Sequence, residues 1–68
     1  MDLWGEIGTA AGKIYSGFVK AGPANVLDIK KKTKMEDPML YMALGWLARE
    51  GKAQLISDKG TVKIKING

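Results

Sequence analysis

The stretch that decides the fold of this chain is Ala43-Leu44-Gly45-Trp46-Leu47-Ala48-Arg49-Glu50-Gly51-Lys52. Its apolar residues recur at the three- and four-residue spacing of an α-helix, and Gly51 is the residue type that commonly follows a helix end. Upstream, Asp37-Pro38 combines a favoured N-cap residue with a favoured first helical residue. We therefore predict a helix that opens at Asp37-Pro38, ends at Gly51 and buries Leu40, Ala43, Leu44 and Leu47.

The sequence after Gly51 changes from a helical to an alternating period. Residues 53–57 are predicted to form a strand, and Ser57-Asp58-Lys59-Gly60 has the composition of a hairpin turn. The next segment, residues 61–66, alternates apolar with polar residues, so we expect its apolar side chains to face inward. These side chains are Val62, Ile64 and Ile66.

The first helix is predicted for residues 2–20, where apolar residues recur at helical spacing. Asp2 is a suitable N-cap residue, and Ala21-Gly22-Pro23 has the composition that ends a helix. The apolar face of this helix consists of Leu3, Trp4, Ile7, Ala10, Ala11, Ile14, Tyr15 and Phe18.

A short second helix is predicted to follow Asn25, which is a favoured N-cap residue. Val26 and Ile29 form its inner face, and it ends near residue 32 or 33, where lysines suit the negative end of the helix dipole. The residues around Ala24 are a candidate third strand beside the hairpin. The order helix, helix, turn, helix, hairpin predicts an α+β fold: a winged helix-turn-helix, with three helices followed by a β-hairpin wing.

The length of 68 residues allows one domain, so we expect residues 1–68 to form a single winged helix-turn-helix domain. A core of this size is small, and domains of this size often add disulfides or a metal. The chain has no Cys and no His, which excludes a disulfide and makes a zinc site improbable on composition. The fold therefore depends on apolar packing, on self-association, or on both.

The segment Tyr41-Met42-Ala43-Leu44-Gly45-Trp46-Leu47-Ala48-Arg49-Glu50-Gly51-Lys52 also resembles the hallmark of a known family. This is a small bacterial and archaeal winged helix-turn-helix family of unknown function. The opening Ala11-Gly12-Lys13-Ile14-Tyr15 is similar to the first helix of that family. The resemblance covers essentially the whole chain and implies the fold. It implies DNA binding only by analogy with other winged helices.

Catalytic and membrane functions find little support in the composition. Without His or Cys the chain lacks an imidazole base and a thiolate, and Ser16 and Ser57 have no partner in a recognisable motif. The glycines at positions 5, 8, 12 and 17 follow a helical pattern, not that of a phosphate-binding loop. No apolar run approaches the ~20 residues of a membrane span, and no secretory signal opens the chain. We expect a non-enzymatic, cytoplasmic protein with no cofactor, no metal and no membrane partner.

The net charge of +4 is unevenly distributed along the chain. Residues 29–35 carry +4 and residues 51–68 carry +3, whereas residues 1–28 carry −1 and residues 36–50 carry −2. Basic side chains in such clusters can neutralise DNA phosphates, and they can equally serve only to solubilise a small domain. The candidate DNA contacts are Lys30, Lys31, Lys32, Lys34, Arg49, Lys59, Lys63 and Lys65.

The third helix, which usually enters the major groove in this fold, has few groups that read bases. Its outward face is predicted to present Pro38, Met42, Gly45 and Arg49, and of these only Arg49 is a common base-reading residue. Two acidic residues at the helix start would repel phosphates. We therefore expect weak sequence readout.

Two further features suggest a protein interface. Met39, Met42 and Trp46 recur at helical spacing; Trp46 either packs beneath the hairpin against Leu55 or Ile64, or forms part of a binding patch. Gly5, Gly8 and Gly12 lie on one face of the first helix, where each interior glycine costs about 1 kcal/mol relative to alanine. A second copy of the chain packed closely against them would offset this cost, and sequence drift in a stable fold would also explain them.

The sequence thus supports two hypotheses. The first is a DNA-associated protein, regulatory in type and acting in transcription regulation, that contacts the phosphates of double-stranded DNA. The second is a protein-interaction module or homodimer without direct DNA binding. A catalytic role is a distant third.

Overall fold

A computed structural model describes residues 3–67 of the chain, apart from the side chain of Asp58. It confirms the winged-helix order of three helices and a hairpin, and the short strand expected near Ala24 is present. Asp2, predicted as an N-cap residue, lies outside the described residues. The elements are α1 (Leu3–Phe18), β1 (Ala24–Asn25), α2 (Val26–Thr33), α3 (Asp37–Arg49), β2 (Ala53–Asp58) and β3 (Thr61–Ile66).

The core lies between the three helices and one face of the sheet. Its largest fully buried side chains are Ile14, Ile29 and Leu40, which come from α1, α2 and α3 in turn. Ile64 and Ile66 of β3 close this core from the sheet side, each 2% exposed. Complete burial of a side chain of this size contributes about 1.5–3 kcal/mol, so the core holds each helix to the others. All side chains that the structure describes as buried are apolar.

The sheet has the order β1-β3-β2, with both pairings antiparallel. β2 and β3 pair from Ala53 opposite Ile66 to Asp58 opposite Thr61, which leaves a two-residue turn at Lys59 and Gly60. Both turn residues have positive φ (52° and 82°), as a type I′ turn requires. β2, this turn and β3 together form the wing of the winged helix.

Two helix ends differ from the sequence-based prediction. α1 ends at Phe18, not near residue 20, because the chain turns there and the N–H of Ala21 donates to the carbonyl of Phe18 at 3.0 Å. The N-cap position of α3 is Glu36, not Asp37, because the carbonyl of Glu36 accepts the first helical bond, from Leu40 N–H at 2.9 Å. Glu36 makes no side-chain capping bond.

The prediction that Val62 faces inward was correct for its side of the strand, but the prediction that it is buried was wrong. Val62 lies on the same face of β3 as Ile64, but 46% of it is exposed. It is next to the hairpin turn, where the wing extends past the helices. Leu55 pairs with the buried Ile64 but is itself 56% exposed, since β2 is the edge strand and has a neighbouring strand on one side only.

Gly12 and Gly51 offer a matched test of backbone conformation. A Cβ at either position would meet no atom within 4 Å, but only Gly51 has a positive φ, of 74°. We expect Gly12→Ala to raise the free energy of unfolding by about 1 kcal/mol, since alanine favours a helix interior. Gly51→Ala should lower it by about 1–2 kcal/mol, the cost of a side chain in the left-handed region. Urea unfolding of both variants measures the difference, and equal effects would contradict this assignment.

Candidate nucleic-acid interface

The turn between α2 and α3 is set by a lysine in an unusual conformation. Lys34 caps α2 with φ 58° and ψ 32°, in the left-handed region, and its N–H donates to the carbonyl of Lys30 at 2.8 Å. The hydroxyl of Thr33 donates to the carbonyl of Ile29 at 2.6 Å, which satisfies another acceptor of the last turn. This tight end brings the start of α3 back beside the end of α2.

Lys30 is engaged within the chain. Its Nζ lies 2.7 Å from Oδ1 of Asp37, in the first turn of α3. The hydrogen bond and the negative charge of Asp37 raise the pKa of Lys30 above its ordinary value. The ion pair is exposed to solvent and contributes little to stability. It does, however, mask one of the predicted phosphate contacts with an acidic neighbour.

The other lysines at the end of α2 are exposed. Lys31 and Lys34 make no ion pair that the structure describes, and Lys32 has its Nζ 5.1 Å from the centre of the Phe18 ring. A cation over a ring face remains solvated on its other side. Lys31, Lys32 and Lys34 therefore form a basic surface, which we call the α2 lysines.

The wing carries the second basic surface. Lys63 pairs with Ile56, and Lys65 with Gln54, so these side chains share the sheet face opposite the core residue Ile64. Lys59 lies at the turn. We call Lys59, Lys63 and Lys65 the wing lysines. Lys63 is opposite Asn25, the N-cap of α2, and the α2 lysines begin about 10 Å further along that helix.

The outward face of α3 adjoins an apolar groove that the sequence did not reveal. Tyr41 and Gly45 of α3 face Leu55 and Val62 of the hairpin across it, and Leu27 of α2 closes one end. The groove has a volume of about 520 Å³, and its described lining carries no charged side chain. Leu27, Tyr41 and Leu55 are each more than half exposed. We call this the wing groove.

The wing groove lies where a winged helix normally approaches DNA, between the third helix and the wing. Apart from Asn25, Tyr41 and Thr61, its side chains are apolar and cannot bond phosphates or base edges, and none is charged. We therefore keep the expectation of weak base readout from this face. Arg49 is exposed in the last turn of α3 and is the only basic residue on that helix. Its contact with DNA stays a prediction, and no other Arg or Lys lies on the described helix.

The expectation that Trp46 packs beneath the hairpin was wrong. Its ring lies against Trp4 of α1, with 5.6 Å between the centroids and a tilt of 56°. Trp46 and Met39 are half-buried and pack against the core, whereas Met42 is exposed. The three residues do not form one open patch, because α1 covers part of the face that they share.

Gly8 and Gly12 face open space on α1. No atom of the described chain lies within 4 Å of a Cβ built on either. A shallow groove of about 360 Å³ runs beside them and is lined by Tyr15, Trp46 and Glu50, among others. No described side chain packs closely enough to require a glycine, so their role in an interface, like that of Gly5, stays a prediction.

The whole chain matches one protein family. The model of the winged helix-turn-helix domain (DUF2582) matches residues 1–66. This chain belongs to that family. The fold predicted from residues 41–52 is thus confirmed by the family as well as by the structure.

Two proteins are similar to this chain, one in sequence and one in structure. The uncharacterized protein MJ1608 of Methanocaldococcus jannaschii is 39% identical over 69 residues, which cover 94% of this chain and 97% of that protein. The solution NMR structure of protein BT2368 from Bacteroides thetaiotaomicron superposes with a TM-score of 0.81 at 26% identity, covering 90% of this chain and 74% of that one. Related chains therefore occur in an archaeon and a bacterium.

Winged helix-turn-helix domains are typically non-enzymatic binding modules. Within residues 3–67, no group of three or more acidic residues is placed to hold a metal ion. Nor is any described helix long and apolar enough to cross a membrane. The surfaces open to a partner are the α2 lysines, the wing lysines and the wing groove.

The two tryptophans differ enough in burial to test the role of Trp46. Trp46 packs against the core, whereas Trp4 is 68% exposed. We expect Trp46→Ala to lower the free energy of unfolding by about 2–3 kcal/mol and Trp4→Ala by about 1 kcal/mol. Chemical unfolding of each variant provides the measurement. A Trp46→Ala variant as stable as the wild type would assign Trp46 to a binding surface instead.

Proposed function

We propose that this protein is a DNA-associated winged-helix protein of regulatory type. It binds the phosphate backbone of double-stranded DNA with little dependence on sequence. The observation that carries the proposal is the placement of exposed lysines on two surfaces of a helix-turn-helix domain. Such lysines release condensed counterions from the duplex, and that release provides most of the affinity in non-specific binding.

The α2 lysines and the wing lysines supply the phosphate contacts. Lys31, Lys32 and Lys34 are exposed at one end of α2, and Lys63 and Lys65 project from one face of the wing. Lys59 adds a contact at the tip of the wing, and Arg49 is a secondary contact because it is the only basic residue on α3. Lys30 contributes less than the sequence suggests, since Asp37 neutralises it. Phosphate contacts fix the position of a protein on DNA without selecting its sequence.

A titration of unrelated duplexes at low and at physiological salt tests the proposal directly. We expect similar affinities for all duplexes, with binding that weakens steeply as salt increases. Absence of binding at low salt would refute the proposal. A strong preference for one duplex would show that bases are read, against the apolar character of the α3 face.

Lys34→Asn tests one phosphate contact without disturbing the turn. Asparagine adopts the left-handed conformation more readily than lysine, so the variant should fold at least as stably. We expect its affinity for every duplex to fall, and the slope of log K against log salt to decrease by about 0.9. An unchanged slope would remove Lys34 from the interface.

Asp37→Asn, with Asp28→Asn as its matched control, tests whether Lys30 contacts DNA. Each removes one acid from the first turn of a helix, but only Asp37 is bonded to a lysine. We expect Asp37→Asn to tighten duplex binding more than Asp28→Asn, because it also frees Lys30. Equal effects in the same titration would show that Lys30 does not face the DNA.

A second candidate function is a protein-interaction module. It is favoured by the wing groove, where apolar side chains from α2, α3 and the hairpin converge at the surface. Exposed apolar patches of this kind commonly mark contact sites for other proteins. This function predicts a partner that buries Tyr41 and Leu55, and it does not require DNA.

A further inference from the structure

Strand β2 is an open edge of the sheet. It pairs with β3 alone, and its register runs without a bulge from Ala53 to Asp58. The strand contains neither proline nor lysine, two residues by which natural proteins protect an exposed edge. Six residues of extended backbone are therefore available to another strand.

The hydrogen-bond pattern between β2 and β3 shows which backbone groups of β2 point toward the open edge. The N–H of Asn67 donates to the carbonyl of Lys52 at 2.8 Å, so the backbone of Lys52 is directed toward the β3 side. Bonding direction alternates along an antiparallel strand. The N–H and C=O groups of Ala53, Leu55 and Ser57 are therefore directed away from β3, toward the open edge.

Apolar side chains flank this edge on both faces. Leu55 is 56% exposed on the face that bears the helices, and Ile56 is 37% exposed on the opposite face. Leu55 also lines the wing groove. The open edge and the wing groove thus form one continuous surface.

We propose that β2 pairs in antiparallel fashion with β2 of a second copy of this chain. A two-fold axis perpendicular to the sheet relates such strands and keeps the helices of both copies on one face. Leu55 then pairs with Leu55 of the second copy, and Ala53 with Ser57. About six hydrogen bonds form, since each such pair exchanges two. The product is a continuous six-stranded sheet.

The charges at the strand ends favour antiparallel over parallel pairing, and the positions of the wing grooves favour the register centred on Leu55. β2 follows Lys52, whose Nζ lies 5.5 Å from the centre of the Tyr15 ring, and its last residue in the sequence is the acidic Asp58. Antiparallel pairing centred on Leu55 therefore sets the position of Lys52 opposite that of Asp58 in the second copy. Parallel pairing would align like charges. Centring on Ile56 instead would set Leu55 opposite Ser57 and leave the two wing grooves apart, whereas centring on Leu55 joins them.

Sedimentation equilibrium over a wide range of protein concentration, without DNA, tests the pairing. We expect a monomer–dimer equilibrium for the wild type and its loss in Leu55→Lys, because lysine at the axis meets a second lysine. Leu3→Lys is the matched control: Leu3 is similarly exposed, at 51% against 56% for Leu55, but it belongs to α1 and does not line the wing groove. This variant should still dimerise. A wild type that stays monomeric, or loss of the dimer in both variants, overturns the proposal.

Amide hydrogen exchange locates the contact. The N–H groups of Leu55 and Ser57 should exchange more slowly as the protein concentration rises, because only the dimer bonds them. The N–H of Ile56, directed toward β3 within each hairpin, should show no such dependence. A dimer whose Leu55 and Ser57 amides exchange as fast as in the monomer would place the contact elsewhere and refute the edge pairing.

Discussion

The burial of Ile14, Ile29 and Leu40 in one apolar core is the constraint on which the fold depends. Each helix contributes one of these fully buried side chains, so truncation of any one weakens the packing of its helix on the others. The sheet joins this core through β1 and through Ala53, Ile64 and Ile66, in the half of the hairpin farther from its turn. Among the described residues nothing polar is buried, so no hydrogen-bond network supplements the packing. The stability of the domain is therefore that of a small apolar core, which has little surplus.

A small core also explains the surfaces. Leu55 lies on the edge strand and Val62 beside the hairpin turn, and they are 56% and 46% exposed. Tyr41 of α3 faces them across the wing groove and is exposed as well. The buried Leu44 and Ile64 line the same groove, so its inner wall is the edge of the core. A partner that covered the groove would bury apolar side chains that the core leaves exposed.

Local signals predicted the elements well because each depends on a few neighbouring residues. Asn25 caps α2 by accepting the N–H of Asp28, as its residue type suggested. The hairpin turn was predicted at residues 57–60 and lies one residue later, at 58–61, with Lys59 and Gly60 in its centre. How the elements pack against one another was harder to predict from the sequence. Trp46 lies two residues from the buried Leu44, and the sequence alone does not show which flank of α3 meets α1 and which meets the hairpin.

The candidate site shows the same limit. The exposed lysines could be identified from the sequence, because charge clusters are local features. The pairing of Lys30 with Asp37 could not, since it depends on the left-handed turn at Lys34 that brings two helices together. The wing groove draws residues from β1, α2, α3, β2 and β3, and no periodicity within one element indicates it.

Asn25 takes part in two structural interactions, one in the sheet and one at the start of α2. It pairs with Lys63 in the sheet, and its side chain caps the first turn of α2. This residue joins the backbone of the wing to the start of α2 and so restricts movement of one against the other. A ligand that touches both surfaces has to order mainly the exposed lysine side chains, because the backbone that carries them is already held.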